Sequence, residues 1–297
     1  LLYRFTNSSM SKHRIIIVGS QGQDGRLLNE MLDHNPDVTI YKIKRGDINL
    51  TSYSEVKQLC QEVVPTHIYY LAAAHASSEI MHEISFKEME KINYMGIKNF
   101  VDACNELKDQ TWIFYPSSSK LFPSVCRVNE YTKPEPSCFY GETKLAGSNY
   151  VLENTDSSNR FVPILFNHES IYRNKQFLSK KIIMFIKREL ESLELRRPDD
   201  CVDWGLSSQF CMVFYQAALQ RKSGVYVVGT GVCTSIRKML LELSDEYDLG
   251  KFVNLVDQIS PITNREADIS KLRKNFQTVP STFGADVIRT LLRVANV

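Results

Sequence analysis

The chain holds 297 residues, of which 43% are hydrophobic and 24% charged, with a formal net charge of +2 at pH 7. That is the balance of an ordinary globular protein with core enough for one large domain or a domain and a smaller lobe, and it gives no electrostatic basis for binding nucleic acid or a membrane surface. No apolar run reaches the roughly 18 residues of a membrane span, and seven cysteines without CxxC or His-paired spacing predict reduced thiols and no metal in a cytoplasmic protein.

Residues 1–11 lack the long apolar stretch of a signal peptide and read as a tail or an expression remnant. The continuous β-branched run 15–18 predicts a central strand of a parallel sheet covered on both faces. A glycine-rich turn follows, then an amphipathic helix over 26–33 with Leu27, Leu28, Met31 and Leu32 inward. The alternation continues with a strand at 38–43, a helix at 54–63, a strand at 67–73 and a helix at 92–107. It goes on with a strand at 112–115, a helix at 140–152 and a strand at 161–166. Strand and helix alternating over this length predict a doubly wound α/β sheet. Beyond 166 the pattern loosens into helices at 177–193, 206–219 and 235–247 around a strand at 225–228. The expected organisation is a Rossmann-type doubly wound parallel sheet over 12–170, with returns at about 203–230, and a smaller C-terminal α/β substrate lobe from 171–202 and 231–297.

Gly19, Gly22 and Gly25 form G-x-x-G-x-x-G directly after the first strand and opening a helix, the context a dinucleotide fingerprint requires. The glycines let the backbone approach a pyrophosphate, and the helix N-terminus supplies amide donors. Lys44 and Arg45 stand at the end of the second strand, where an acidic residue would select the unphosphorylated cofactor, and so favour NADP over NAD. The alternative is a solvated pair beside Asp47, which itself is placed to reach the cofactor. Leu71, Ala72 and Ala73 end the third strand, and His75 lines the same pocket or is simply a packed side chain; His82 has no such context. Ser117, Ser118 and Ser119 follow the strand at 112–115, at the carboxyl edge where open sheets hold ligands, and are either substrate contacts or turn formers. Tyr140 and Lys144 lie four apart on one helix face, so an ammonium beside the phenol is expected to lower its pKa and make it an acid/base for hydride chemistry. Arg196 and Arg197 are open between a grip on a diphosphate and an exposed basic pair.

With these residues in view, the chain resembles the extended short-chain dehydrogenases that modify nucleotide sugars, most closely the GDP-mannose 4,6-dehydratases. Four stretches carry the likeness: Gly19 to Gly25 with Gln23 and Asp24 after the middle glycine, Leu165-Phe166-Asn167-His168-Glu169-Ser170, Asp203-Trp204-Gly205, and Val227 to Gly231 with Ser235-Ile236-Arg237. The resemblance runs from about Arg14 to Lys274. It implies that Ser118 binds the sugar O4, that Tyr140 is the acid/base and that Lys144 tunes it. It adds Gln23, Asp24, Tyr140, Lys144, Phe166, Asn167, His168 and Arg173 to the cofactor set, and places Ser118, Ser119, Asn167, Arg173, Lys181 and Arg237 in a GDP-sugar substrate set. It also implies a homodimer.

One departure bears on the chemistry. The dehydratases carry Ser-Thr-Ser-Glu, whose carboxyl group takes the C5 proton and helps expel the C6 hydroxyl; this chain carries Ser117-Ser118-Ser119-Lys120. Val202 also replaces an Arg, Gln209-Phe210 replaces Asp-Tyr, and the segment before Gly46-Asp47 is short. The expected function is therefore that of a GDP-mannose 4,6-dehydratase-like lyase that oxidises C4 of a GDP-sugar with bound NADP, with Lys120 the catalytic candidate for the elimination in place of the missing Glu. The alternatives are a 4-dehydrogenase, 4-keto reductase or epimerase that needs no Glu, or a non-catalytic nucleotide-sugar-binding relative.

Overall fold

The computed structural model describes residues 12–75, 83–107, 110–249, 253–255 and 262–295; the expected tail 1–11 and His82 lie outside them. In chain order the elements are β1 (His13–Val18), α1 (Gln23–Leu32), β2 (Val38–Ile43), α2 (Tyr53–Val63), β3 (His67–Tyr70), α3 (Phe86–Glu90), α4 (Ile97–Asn105), β4 (Trp112–Phe114), β5 (Ser117–Ser118), β6 (Val125–Val128), α5 (Phe139–Asn154) and β7 (Arg160–Leu165). There follow β8 (Asn167–Glu169), α6 (Leu178–Ile186), β9 (Leu193–Leu195), β10 (Cys201–Leu206), α7 (Ser207–Leu219), β11 (Gly224–Val228), β12 (Cys233–Ser235), α8 (Ile236–Ser244), β13 (Val253–Leu255), β14 (Asn264–Ala267), α9 (Ser270–Asn275) and α10 (Ala285–Val294).

The main sheet is parallel, in the spatial order β2-β1-β3-β4-β7-β11, with β5 also pairing with β7. Alternate residues of β1 serve opposite faces, as a strand's two-residue period demands. Ile15 and Ile17 enter a core with Leu28, Phe210 and Phe214. Ile16 and Val18 enter another with Val56, Phe100 and Val151. The strand order reverses at β1, which has β2 on one side and β3 on the other, and this opens a crevice beyond its carboxyl end.

A second sheet runs β12-β10-β14-β6, with β8 paired to β10. Of the segment expected to return to the main sheet, β11 does so and α7 packs on α1, whereas β10 joins the smaller sheet. Behind that sheet, α6, α8 and α10 close a third core around Ile182, Leu240, Ile288 and Leu291. Asp203 of β10 fastens the two sheets together. Its buried carboxylate accepts the Thr230 N–H at 2.9 Å, the Thr230 hydroxyl at 2.8 Å and the Gly231 N–H at 2.9 Å, in the turn that follows β11. The outer edge of β11 is itself occupied by side chains: Glu130 accepts the Val227 N–H at 2.9 Å and Lys271 Nζ donates to the Val225 carbonyl at 2.6 Å.

Three expected elements differ. The strand predicted over 67–73 ends at Tyr70; the Leu71 N–H still donates to the Val18 carbonyl at 2.8 Å, and the backbone at Leu71 and Ala72 then passes against Gly19. The helix predicted over 92–107 is two segments, a π-helical turn Lys91–Gly96 followed by α4. The helix predicted over 177–193 stops at Ile186; Arg188 takes φ +59°, a left-handed conformation that ends the helix, and the chain then forms β9.

Candidate functional site

The glycine turn owes its shape to contacts that admit no side chain. Gly19 has φ +86°, and a Cβ there would lie 2.7 Å from the Ala72 nitrogen; a Cβ on Gly25 would lie 2.5 Å from the Gly19 carbonyl. The Ile43 carbonyl holds the turn from β2, accepting the N–H groups of Gly19 at 3.0 Å and Ser20 at 3.1 Å. Gly22 is the N-cap of α1, and no side chain caps the helix's first amides, so its positive end faces the crevice.

The stretch after β7 grips that helix end. Gln23 Nε2 donates to the His168 carbonyl at 3.0 Å, and the Ser170 hydroxyl donates to Gln23 Oε1 at 3.0 Å. The His168 ring stacks on Phe210, with Nε2 3.0 Å from an Asp24 carboxylate oxygen and Nδ1 2.8 Å from the Phe166 carbonyl. Both ring nitrogens thus face acceptors, an arrangement that favours the imidazolium form of His168 paired with Asp24. Burial works against both charges, but each partner outweighs it, holding Asp24 below and His168 above the ordinary range.

This pairing sets a pH dependence. Asp24 contributes stability that is lost as pH falls through its depressed folded value, and His168 contributes stability that is lost as pH rises through its elevated one, so the pair is fully present between about pH 4 and 6.5. Asp24→Ala is expected to cost about 3 kcal/mol in that window, and thermal melts should show the deficit shrinking above it. A deficit that grows with rising pH would contradict the pairing.

Opposite the turn, β5 presents Ser118 and α5 presents Tyr140 and Lys144. The Ser118 hydroxyl is near enough to Tyr140 to act on its phenol, and Ser118 Oγ accepts the Lys120 N–H at 3.2 Å. Lys144 is 1% exposed, its Nζ 4.1 Å above the centre of the Tyr115 ring. The expected lowering of the phenol is not what these groups produce. Burial pushes Tyr140 up to about 12 against the effect of the Ser118 hydroxyl, and burial pushes Lys144 down to about 7. A lysine that is itself reluctant to hold its charge is a weak source of positive potential for a neighbouring phenol.

Asn93, which the periodicity did not single out, is completely buried in the π-turn. Its amide accepts the Ala74 N–H at 2.9 Å and donates to Thr143 Oγ1 at 3.1 Å, while its carbonyl accepts the Tyr115 hydroxyl at 2.5 Å. It therefore locks the loop after β3 to the helix that carries Tyr140, a use typical of π-turns. An amide in an apolar helical stretch was the available signal. His75, from that loop, lies 4.5 Å from the Tyr140 ring and stacks on Phe177 at 5.5 Å, and the Arg173 guanidinium covers Phe177 at 3.6 Å. Burial and the charges of Arg173, Lys120 and Lys144 push His75 down to about 3, so it is neutral.

The remaining candidates divide. Lys120 is half-buried on the turn after β5, its carbonyl against Gly141. Asn167 is exposed on β8, Lys181 is half-buried on α6, and Ser119 is buried. Arg173 is ion-paired to Glu169 at 3.0 Å. Arg237 forks onto Asp199 at 2.7 and 3.1 Å, and Arg197 onto Asp200 at 2.5 and 3.0 Å, so neither presents an empty fork; Arg196 is an exposed partner of Glu194. Lys44 and Arg45 are exposed at the end of β2, while Asp47 turns back to accept the Lys44 N–H at 2.8 Å. Among the described residues no helix is long and apolar enough to cross a membrane, and no group of three His, Cys, Asp or Glu is placed to hold a metal.

Residues 9–278 match the model of a family described as GDP-mannose 4,6 dehydratase. A GDP-mannose 4,6 dehydratase of Drosophila melanogaster is 27% identical over 208 residues, which cover 67% of this chain and 52% of that protein, so the chain spans about half the length of this relative. Among solved structures, RMD from Pseudomonas aeruginosa complexed with NADPH superposes with a TM-score of 0.79 at 19% identity, covering 95% of this chain and 98% of the other. A dTDP-4-dehydrorhamnose reductase from Bacillus anthracis in complex with NADP gives 0.78 at 21% identity, covering 95% and 99%.

Proposed function

The chain belongs to the GDP-mannose 4,6-dehydratase family, and from that premise we propose that it is an NADP-dependent enzyme that moves a hydride at C4 of a GDP-linked sugar. The reading rests above all on Ser118, Tyr140 and Lys144 gathered at the carboxyl edge of the sheet, opposite the glycine turn. The turn fits a dinucleotide: Gly19 and Gly25 leave no room for side chains, and the amides at the start of α1 are open to a pyrophosphate. Asp47 is engaged in its own turn, which leaves Lys44 and Arg45 as the groups for a 2′-phosphate; solved structures of similar fold hold NADPH or NADP in two cases and NAD in two others, so the preference rests on these residues.

A bound nicotinamide supplies the hydride donor or acceptor. Tyr140 would take the O4 proton as the sugar is oxidised, or return it on reduction, with Ser118 holding the same oxygen. Elimination of water needs a group at the position of Lys120, and a lysine there does not provide the carboxyl chemistry of the relatives; C4 redox without loss of water is therefore favoured. Dehydration with Lys120 as base is the second reading, because burial together with Arg265 lowers its pKa.

Incubation with GDP-mannose in deuterated water, followed by NMR and mass spectrometry, separates these. Reduced cofactor and a 4-keto sugar of unchanged oxygen content support the proposal. A deuterated 6-deoxy-4-keto sugar would establish dehydration. For the cofactor, replacing Lys44 and Arg45 together by alanine is expected to weaken NADPH about 100-fold, from two lost charge-assisted contacts, and NADH little. Equal loss for both cofactors in fluorescence titration would rule out 2′-phosphate recognition.

A further inference from the structure

Given a nucleotide sugar at Tyr140, as proposed above, the charges around the ring position decide which sugars are accepted. The cations that act on His75 or Lys120 are Lys120 itself, Lys144, His168, Arg173, Arg197 and Arg265. The carboxylates of this region are already committed. Asp24 pairs with His168; Glu169 pairs with Arg173 and accepts the Ser179 hydroxyl at 2.6 Å; Asp200 takes the Arg197 fork and the Thr263 N–H at 2.9 Å. Arg265 is buried and donates to neutral oxygens, the Phe122 carbonyl at 3.0 Å and Ser124 Oγ at 3.4 Å. Among the described residues nothing is hydrogen-bonded to the Lys120 ammonium, which is half-buried and within the electrostatic reach of that guanidinium. The charge of Asp200 also acts on Lys120, but that carboxylate is shared with the Arg197 fork, so among these residues the ammonium has no hydrogen-bonded counter-ion of its own; a sheltered cation left so is costly and favours an anionic ligand.

The position of Lys120 says which part of a substrate that anion belongs to. It follows Ser118 by two residues on one tight turn, its N–H on Ser118 Oγ and its carbonyl packed against Gly141, the neighbour of Tyr140. Ser118 and Tyr140 fix the C4 oxygen, and the diphosphate leaves the hexose from C1, across the ring. The group near Lys120 is thus a substituent on the C4 side of the sugar. We infer that the preferred substrate carries a carboxylate there, as in a nucleotide-linked hexuronic acid, and that Lys120, backed by Arg265, is the residue that selects it. A neutral hexose leaves this ammonium without a partner, whereas a carboxylate accepts a charge-assisted hydrogen bond from it.

The test is calorimetric binding to the protein loaded with NADPH, which cannot oxidise an alcohol at C4, using GDP, GDP-mannose and GDP-mannuronic acid as probes. The acidic sugar should bind at least about tenfold more tightly than GDP-mannose, as expected for a hydrogen bond between charged groups. Lys120→Met should abolish that preference and Lys120→Arg should keep most of it. Equal binding of the two sugars by the wild type, or a preference that survives in Lys120→Met, overturns the inference. So does a Lys120→Met protein that loses GDP affinity to the same extent, because the ammonium would then be reading the diphosphate. In each of those cases GDP-sugar binding by the wild type leaves the parent reading intact; if none of the probes binds, that reading falls as well.

Discussion

Tyr140→Phe is expected to lower turnover by about 100- to 10,000-fold while leaving NADPH affinity nearly unchanged. The substitution removes one oxygen, the atom on which the Ser118 hydroxyl acts, and keeps the ring that packs 4.5 Å from His75. Cofactor affinity depends on the glycine turn and on the start of α1, which Tyr140 does not shape. The pair of measurements is therefore diagnostic: steady-state rates on the sugar that the product analysis identifies, and fluorescence titration of NADPH. A variant that retains more than about a tenth of the wild-type rate would remove Tyr140 from the acid/base role. Because burial sets the Tyr140 phenol at about 12 among the chain's own groups, the wild-type rate should also climb through the alkaline range when the sugar is being oxidised, and a rate that falls there would point to a different base.

Asp203→Ala should be the most damaging single change to the fold, costing about 3–5 kcal/mol. The carboxylate is 2% exposed and takes three donors, two from Thr230 and one from Gly231. Alanine leaves both backbone N–H groups without acceptors in the seam between the two sheets. Gly231, held at φ +75°, has little freedom to turn its amide elsewhere. Asparagine should cost less, about 1–3 kcal/mol, since one oxygen still accepts while its NH₂ group meets a donor. Urea titrations would measure both, and a loss below about 1 kcal/mol for alanine would show that the seam is held by packing alone.

The parts of the molecule that were legible in the sequence are those whose physics is local. The run Ile15 to Val18 is apolar at every position because β1 is covered on both faces, and the three glycines announce a turn that only glycine can make. Tyr140 and Lys144 fall one helical turn apart whatever surrounds them. The second sheet was not legible, since β8, β12 and β14 have three or four residues each, too few to show an alternating pattern. β14 also pairs with β6 across more than a hundred residues of intervening chain. The π-turn at Lys91–Gly96 spans six residues, too few for its i→i+5 period to show in the sequence, so Asn93 gave no periodic sign of its position. Lys187 to Leu190 are all good helix formers, and only the φ of Arg188 shows that the helix has ended. The charge state of the Tyr140–Lys144 pair depends on burial by Tyr115 and its neighbours, which spacing along a helix cannot convey.

The side chains on the flank of β11 have a consequence for how copies of this protein meet. An open terminal strand is a template on which another chain's backbone can add, the route to domain-swapped or fibrillar assemblies. Here the outward Val227 N–H and Val225 carbonyl are already satisfied by Glu130 and Lys271, so sheet-to-sheet continuation at that end would first have to displace two ionic side chains. Self-association is thereby steered away from backbone pairing at this edge and toward contacts between side chains, such as those offered by the exposed Phe86, Met95 and Phe139 on the helical face.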